Sequence, residues 1–150
     1  MRILGLDASS KTIGYSIIEY NEKTDKINLL KCSFVKPPKD GNLFERLKKT
    51  QDMIVKILEE YKPDIVAIED IAKFMAGLST ANTITTLAIF NRCVGLVCYN
   101  FCGKPPQLYN VLKIRHGIKL NKVFPKKEDI PELVAKHLGI NPLRTGTAFL

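Results

Sequence analysis

The chain has 150 residues, 45% of them hydrophobic and 25% charged, the balance of one ordinary globular domain with a core large enough to do without disulfides. Its net charge of +8 favours polyanionic partners, nucleic acid first among them, through release of their counterions. No apolar run reaches the roughly 18 residues of a membrane span, and Met1-Arg2 lead straight into a core strand with no room for a signal peptide, so a cytoplasmic location is expected.

The first element is a short apolar run, Ile3 to Leu6, that reads as a strand buried on both faces and ends abruptly in Asp7. An ionised carboxylate at the end of a core strand is costly unless a cation or strong donors compensate it. Asp7 therefore points either to a metal or to hydrogen bonds from the amides of the turn Ala8-Ser9-Ser10-Lys11-Thr12. Gly14 to Ile18 resume an extended pattern, which makes a hairpin with an acid at its mouth. Lys26 to Val35 read as a third strand before Pro37-Pro38 stop it, so three strands form a meander.

The period then changes. Leu43, Leu47, Thr50, Ile54, Ile57, Leu58 and Tyr61 recur at three- and four-residue steps with charges between them, which predicts an amphipathic helix ended by Lys62-Pro63. Ile65 to Ile68 form a second fully apolar strand of parallel-sheet character, and it too ends in acid, at Glu69-Asp70. Groups at the carboxyl ends of neighbouring parallel strands face a common crevice, so Asp7 and Glu69 are candidates to grip the same hard cation, magnesium for example. Ser79 or Thr80 opens an apolar helix running from Ile84 to Phe101, and Gly103 to Pro106 end it. A short strand is expected around Leu108 to Val111, followed by a basic loop from Lys113 to Lys122. Pro125 is expected to start a last helix, with Ile130, Leu133, Val134 and Leu138 on its apolar face and Gly139 as its cap. Cys32, Cys93, Cys98 and Cys102 lack zinc-type spacing and read as buried free thiols, and His116 and His137 are too few for a His-based centre.

Taken together, these residues resemble the RuvC family of Holliday-junction resolvases, within the RNase H-like superfamily. The likeness is carried by Ile3-Leu4-Gly5-Leu6-Asp7 with the turn to Tyr15, and by Pro63-Asp64-Ile65-Val66-Ala67-Ile68-Glu69. Arg92-Cys93-Val94-Gly95, Val111-Leu112-Lys113 and Lys127-Glu128-Asp129-Ile130 extend it to about residue 140. The resemblance implies an α/β fold with a central mixed five-stranded sheet, its first three strands an antiparallel meander, flanked by helices in a single domain. It also implies a homodimer that resolves four-way DNA junctions by paired symmetric nicks, with Mg2+, or Mn2+ as its substitute. By position Asp7 and Glu69 are similar to two of the family's metal-binding carboxylates, and Lys113 and Lys127 to basic residues near the scissile phosphate. DNA contacts are expected from Ser9, Ser10, Lys11, Lys73, Lys113, Arg115, Lys119, Lys122, Lys126 and Lys127.

The family closes its metal site with an Asp-x-x-Asp pair in a final helix, whereas this chain has no acid after Glu132. Asp70, Glu128, Asp129 and Glu132 are the remaining candidates for those ligands. Two carboxylates hold two divalent ions poorly, so weak or absent cleavage is expected. The alternatives are a protein that binds junctions without cutting, a nuclease acting on other branched or hybrid substrates, and half of an actin-like ATPase, whose phosphate hairpin begins in a similar way.

Overall fold

The computed structural model describes residues 1–71, 80–118 and 124–140. The amino-terminal segment forms the expected meander of β1 (Arg2–Ala8), β2 (Ile13–Asn21) and β3 (Lys26–Val35). Strand β4 (Ile65–Glu69) then pairs parallel with β1, and β5 (Gln107–Tyr109) pairs parallel with β4. The mixed sheet has the order β3-β2-β1-β4-β5, so the two strands that end in acid lie side by side near its centre. A strand in register with two neighbours must alternate its faces. Leu4, Leu6, Ala8, Ile13, Ile17, Val66 and Ile68 all turn to one face and are buried there.

Helices α1 (Leu43–Tyr61) and α2 (Ala81–Cys102) cover that face, adding Ile54, Ile57, Leu58, Val94, Val97 and Cys98 to one core. Each such side chain contributes about 1.5–3 kcal/mol by leaving water. The ends of α1 are written locally. The Asn42 side chain accepts from the Glu45 amide at 3.0 Å while Glu45 accepts from the Asn42 amide at 3.0 Å, and Lys62 ends the helix in the left-handed region at φ 46°. Thr80 caps α2, one of the two residues expected to do so, and Gly103 at φ 70° ends it.

Three expectations are corrected. By length and composition α2 is long and apolar enough to cross a membrane; counting unbroken apolar residues missed it because Asn91 and Arg92 interrupt the run without lowering its average enough. Val111 does not end a strand but begins helix α3 (Val111–Gly117), so the first half of the expected basic loop is helical. The reason is Asn110, whose side chain accepts from the Lys113 amide at 2.7 Å and caps the new helix. The last helix starts later than Pro125, with a 3-10 turn at Lys127–Asp129 leading into α4 (Ile130–Leu138), where Pro131 occupies the first turn. Residues 119–123, the rest of the expected loop, and 141–150, the stretch without acids, lie outside the described residues.

Candidate active site

The register that buries Leu6 and Ile68 on the helix-covered face turns the next residue of each strand to the other face. Leu6 pairs with Ile68 in the parallel ladder, so Asp7 and Glu69 stand next to each other across it, one strand spacing of about 4.8 Å apart. The row continues both ways: Asp7 pairs with Gly14, Gly14 with Phe34, and Glu69 with Tyr109. Phe34, Gly14, Asp7, Glu69 and Tyr109 therefore form one transverse line across all five strands. The row below is small on four of its strands, Cys32, Ser16, Gly5 and Ala67, before it ends at Gln107 on β5, and together the two rows floor a groove of about 1000 Å³. Gly5 keeps that floor open, since a Cβ there would lie 2.9 Å from Ser16 Oγ and the serine side chain would have to turn away.

Asp7 opens into this groove rather than being buried at the end of its strand. Loss of water nonetheless raises its pKa above the usual carboxylate range, with the Lys127 ammonium pulling the other way. Burial also raises Glu69, the charge of Asp7 raises it further, and Arg115 and Lys127 oppose both. Two hard oxygen donors that repel each other and bind protons too readily are a donor set suited to a divalent cation. Among the described residues no cluster of three or more His, Cys, Asp or Glu side chains could hold a metal, so the described donor set is this pair.

The residues expected to join the acids are placed unequally. Lys127 acts on both carboxylates and Arg115 on Glu69, and the Nε of Arg115 is buried without a hydrogen-bond partner among the described residues. Lys113 instead lies over the Tyr109 ring, 5.2 Å from its centroid, at the end of the row. Lys11 and Lys126 are exposed. The Ser9 hydroxyl closes the hairpin turn, donating to the Thr12 carbonyl at 2.7 Å and accepting from the Thr12 amide at 3.1 Å. Ser10 presents its carbonyl to Arg46 at 3.3 Å. Lys73, Lys119 and Lys122 lie outside the described residues. Of the candidate replacement acids, Asp70 forms an ion pair with Arg92 at 2.8 Å, Asp129 accepts from the Lys126 amide at 3.1 Å, and Glu128 and Glu132 are exposed.

Two supports were not anticipated. Asn91, buried on α2, donates from Nδ2 to the Glu69 carbonyl at 2.9 Å; Arg92 donates to Asn91 Oδ1 at 3.0 Å and to Asp70 Oδ1 at 2.8 Å, so the end of β4 is held from behind. Arg46 donates to the Pro38 and Ser10 carbonyls at 2.8 and 3.3 Å and stacks on Phe90, tying the hairpin turn to the loop after β3. The available sequence signal for the first was an Asn-Arg pair inside an apolar helix.

Comparison with known proteins places this arrangement. The family model of the crossover junction endodeoxyribonuclease RuvC matches residues 3–104. The RuvC of Fusobacterium nucleatum is 31% identical over 147 residues, 95% of this chain and 71% of that protein. The RuvC of Cupriavidus taiwanensis is 37% identical over 139 residues, covering 92% and 72%, while the chain spans 62% of a Dehalococcoides mccartyi relative. Among solved structures, Thermus thermophilus RuvC in complex with a Holliday junction substrate superposes with a TM-score of 0.74 at 18% identity, over 94% of this chain and 81% of that one.

Proposed function

The chain belongs to the family of the crossover junction endodeoxyribonuclease RuvC, and from that membership we propose that it is a cytoplasmic nuclease unit that binds four-way DNA junctions and nicks opposing strands in pairs as a homodimer. One observation carries the reading: the β1–β4 register sets Asp7 and Glu69 side by side in an open groove, with the charge of Lys127 acting on both and that of Arg115 on Glu69. The family's chemistry is metal-dependent, and here Asp7 and Glu69 would hold magnesium, or manganese in its place. Bound there, the cation supplies positive charge that activates a water and offsets the charge on the leaving oxygen of a phosphodiester.

The chain's own residues do the rest. Lys127 offsets the charge of a phosphate brought against the two carboxylates, and the charge of Arg115, which already acts on Glu69, adds to it. Lys113, beside Tyr109, holds the strand one position further along the sheet. Lys11 and Lys126 add charge on either side of the groove. A second copy would dock on α2, which leaves Leu96, Tyr99 and Phe101 exposed although it is apolar along its length.

A second reading, junction binding without cleavage, rests on the pair of carboxylates having no third acid beside it among the described residues. Both are tested by offering labelled four-way junctions, flaps, duplexes and RNA–DNA hybrids with Mg2+ and comparing native with denaturing gels. Paired nicks confined to the junction and lost in Asp7→Asn support the nuclease. Tight junction binding without nicks supports the binder, and equal affinity for plain duplex overturns both.

A further inference from the structure

Two aromatic–lysine pairs end the transverse row that carries the carboxylates. On the β5 side Lys113 lies over Tyr109; on the β3 side Lys36 Nζ lies 5.5 Å from the Phe34 centroid. Four strand spacings separate the two rings, about 19 Å, with Asp7 about 10 Å from Phe34. Phe34 and Lys36 line the same groove as Asp7 and Glu69. Among the described residues only Gly14 stands between Phe34 and Asp7, and an added Cβ there would meet no atom within 4 Å.

We propose that Phe34 and Lys36 form a second DNA contact on the β3 side of the carboxylates, with a nucleobase next to the reacting phosphate lying on the Phe34 ring and Lys36 holding the phosphate beyond it. The inference rests on the junction-binding reading and extends its footprint past Gly14 to the β3 side of the groove.

Three features favour this occupant. Phe34 is 49% exposed, so an apolar ring is held open to solvent beside the acids in a protein of net charge +8. A base presents a flat face to such a ring whatever its sequence, and a lysine at the rim meets the backbone charge that travels with it. The platform is also held in place: Arg46 bonds the Pro38 carbonyl at 2.8 Å and the Ser10 carbonyl at 3.3 Å, which fixes the loop carrying Lys36 against the turn carrying Lys11. A negatively charged strand leaving the carboxylates past Gly14 therefore meets two lysines and an aromatic face on this side, as it meets Tyr109 and Lys113 on the other.

The test is equilibrium binding of a fluorescent four-way junction to the full chain in EDTA, where no cutting occurs, across a range of salt. Lys36→Ala is expected to lower affinity severalfold and to reduce the slope of log affinity against log salt by about one, as loss of one phosphate contact does. Phe34→Leu keeps an apolar side chain but removes the flat ring; it is expected to lose about tenfold at unchanged slope, with Phe34→Trp restoring the affinity. Lys56→Ala, on the exposed side of α1, controls for net charge. If Lys36→Ala loses no more than Lys56→Ala, or Phe34→Leu binds as the unaltered chain does, the inference is overturned. If Lys113→Ala weakens binding while those two do not, it fails alone and the junction reading stands; if the unaltered chain does not prefer the junction to duplex, both fall.

Discussion

The two faces of the central sheet differ by a one-residue step along each strand, and they do opposite things. On the helix-covered face Leu4, Leu6, Ile17, Val66 and Ile68 are large and buried. On the other, the alternate positions nearest the acids are Gly5, Gly14, Ser16 and Ala67, which leave a floor wide enough for a ligand and two acids at its head. The first face supplies stability. The second spends some of it, since two like charges held together without a cation oppose folding. Function here is located by which face a residue takes, not by its type alone.

Substitutions on the two faces sharpen that contrast. Leu4→Ala, fully buried under α1 and α2, is expected to cost about 2–5 kcal/mol in urea unfolding, the largest loss of stability. Asn91→Ala removes the buried donor to the Glu69 carbonyl and is expected to cost about 1–3 kcal/mol; it should also weaken Mn2+ binding roughly tenfold, as read by the free-ion electron-spin signal, because the end of β4 loses its hold from behind. An Ile54→Val variant of similar stability should leave Mn2+ binding unchanged. Equal weakening in the two would show that Asn91 has no special part in placing Glu69.

The acids are expected to reverse the sign. Both folded-state pKa values are raised, so the folded chain binds protons more tightly than the unfolded one. The stability this contributes is fully present below the ordinary values of 3.8 and 4.5, and it is lost as pH rises through the raised ones. Asp7→Asn and Glu69→Gln should therefore raise the melting temperature of the metal-free chain at neutral pH, with the gain shrinking as the pH falls through the raised values and gone once it is below the ordinary ones. A melting temperature lowered by either substitution at pH 7 would break the comparison. Magnesium should stabilise the unaltered chain and not the Asp7→Asn, Glu69→Gln double variant. The smallest effect is expected from Lys11→Ala on the exposed turn, a weakening of junction binding by a fewfold with no change in melting temperature.

Much of this was legible along the chain. The alternation and apolar runs of β1 to β4, the three- and four-residue period of α1 and the capped apolar run of α2 are local patterns, and the helix-covered face follows from them. Asp7 and Glu69 stood out for a physical reason, a charge placed directly after a buried strand. The start of the basic segment was harder: Asn110 caps α3 through its own side chain, but the apolar residues around it suggested that the strand continued. Arg115 read as one of several cations expected to contact DNA, and only the structure shows its charge acting on Glu69.

Amino-acid order alone determined the succession of elements from β1 to α2, the two strand-end acids and the basic excess, because propensity, periodicity and charge act between near neighbours. Only tertiary pairing decided that Phe34, Gly14, Asp7, Glu69 and Tyr109 share one row, that Asn91 backs Glu69, and that Lys127 faces both acids while Lys113 lies on an aromatic ring. Those placements depend on register between strands and on helix contacts spanning tens of residues, and a shift of one residue in any ladder would send the same side chains to the opposite face.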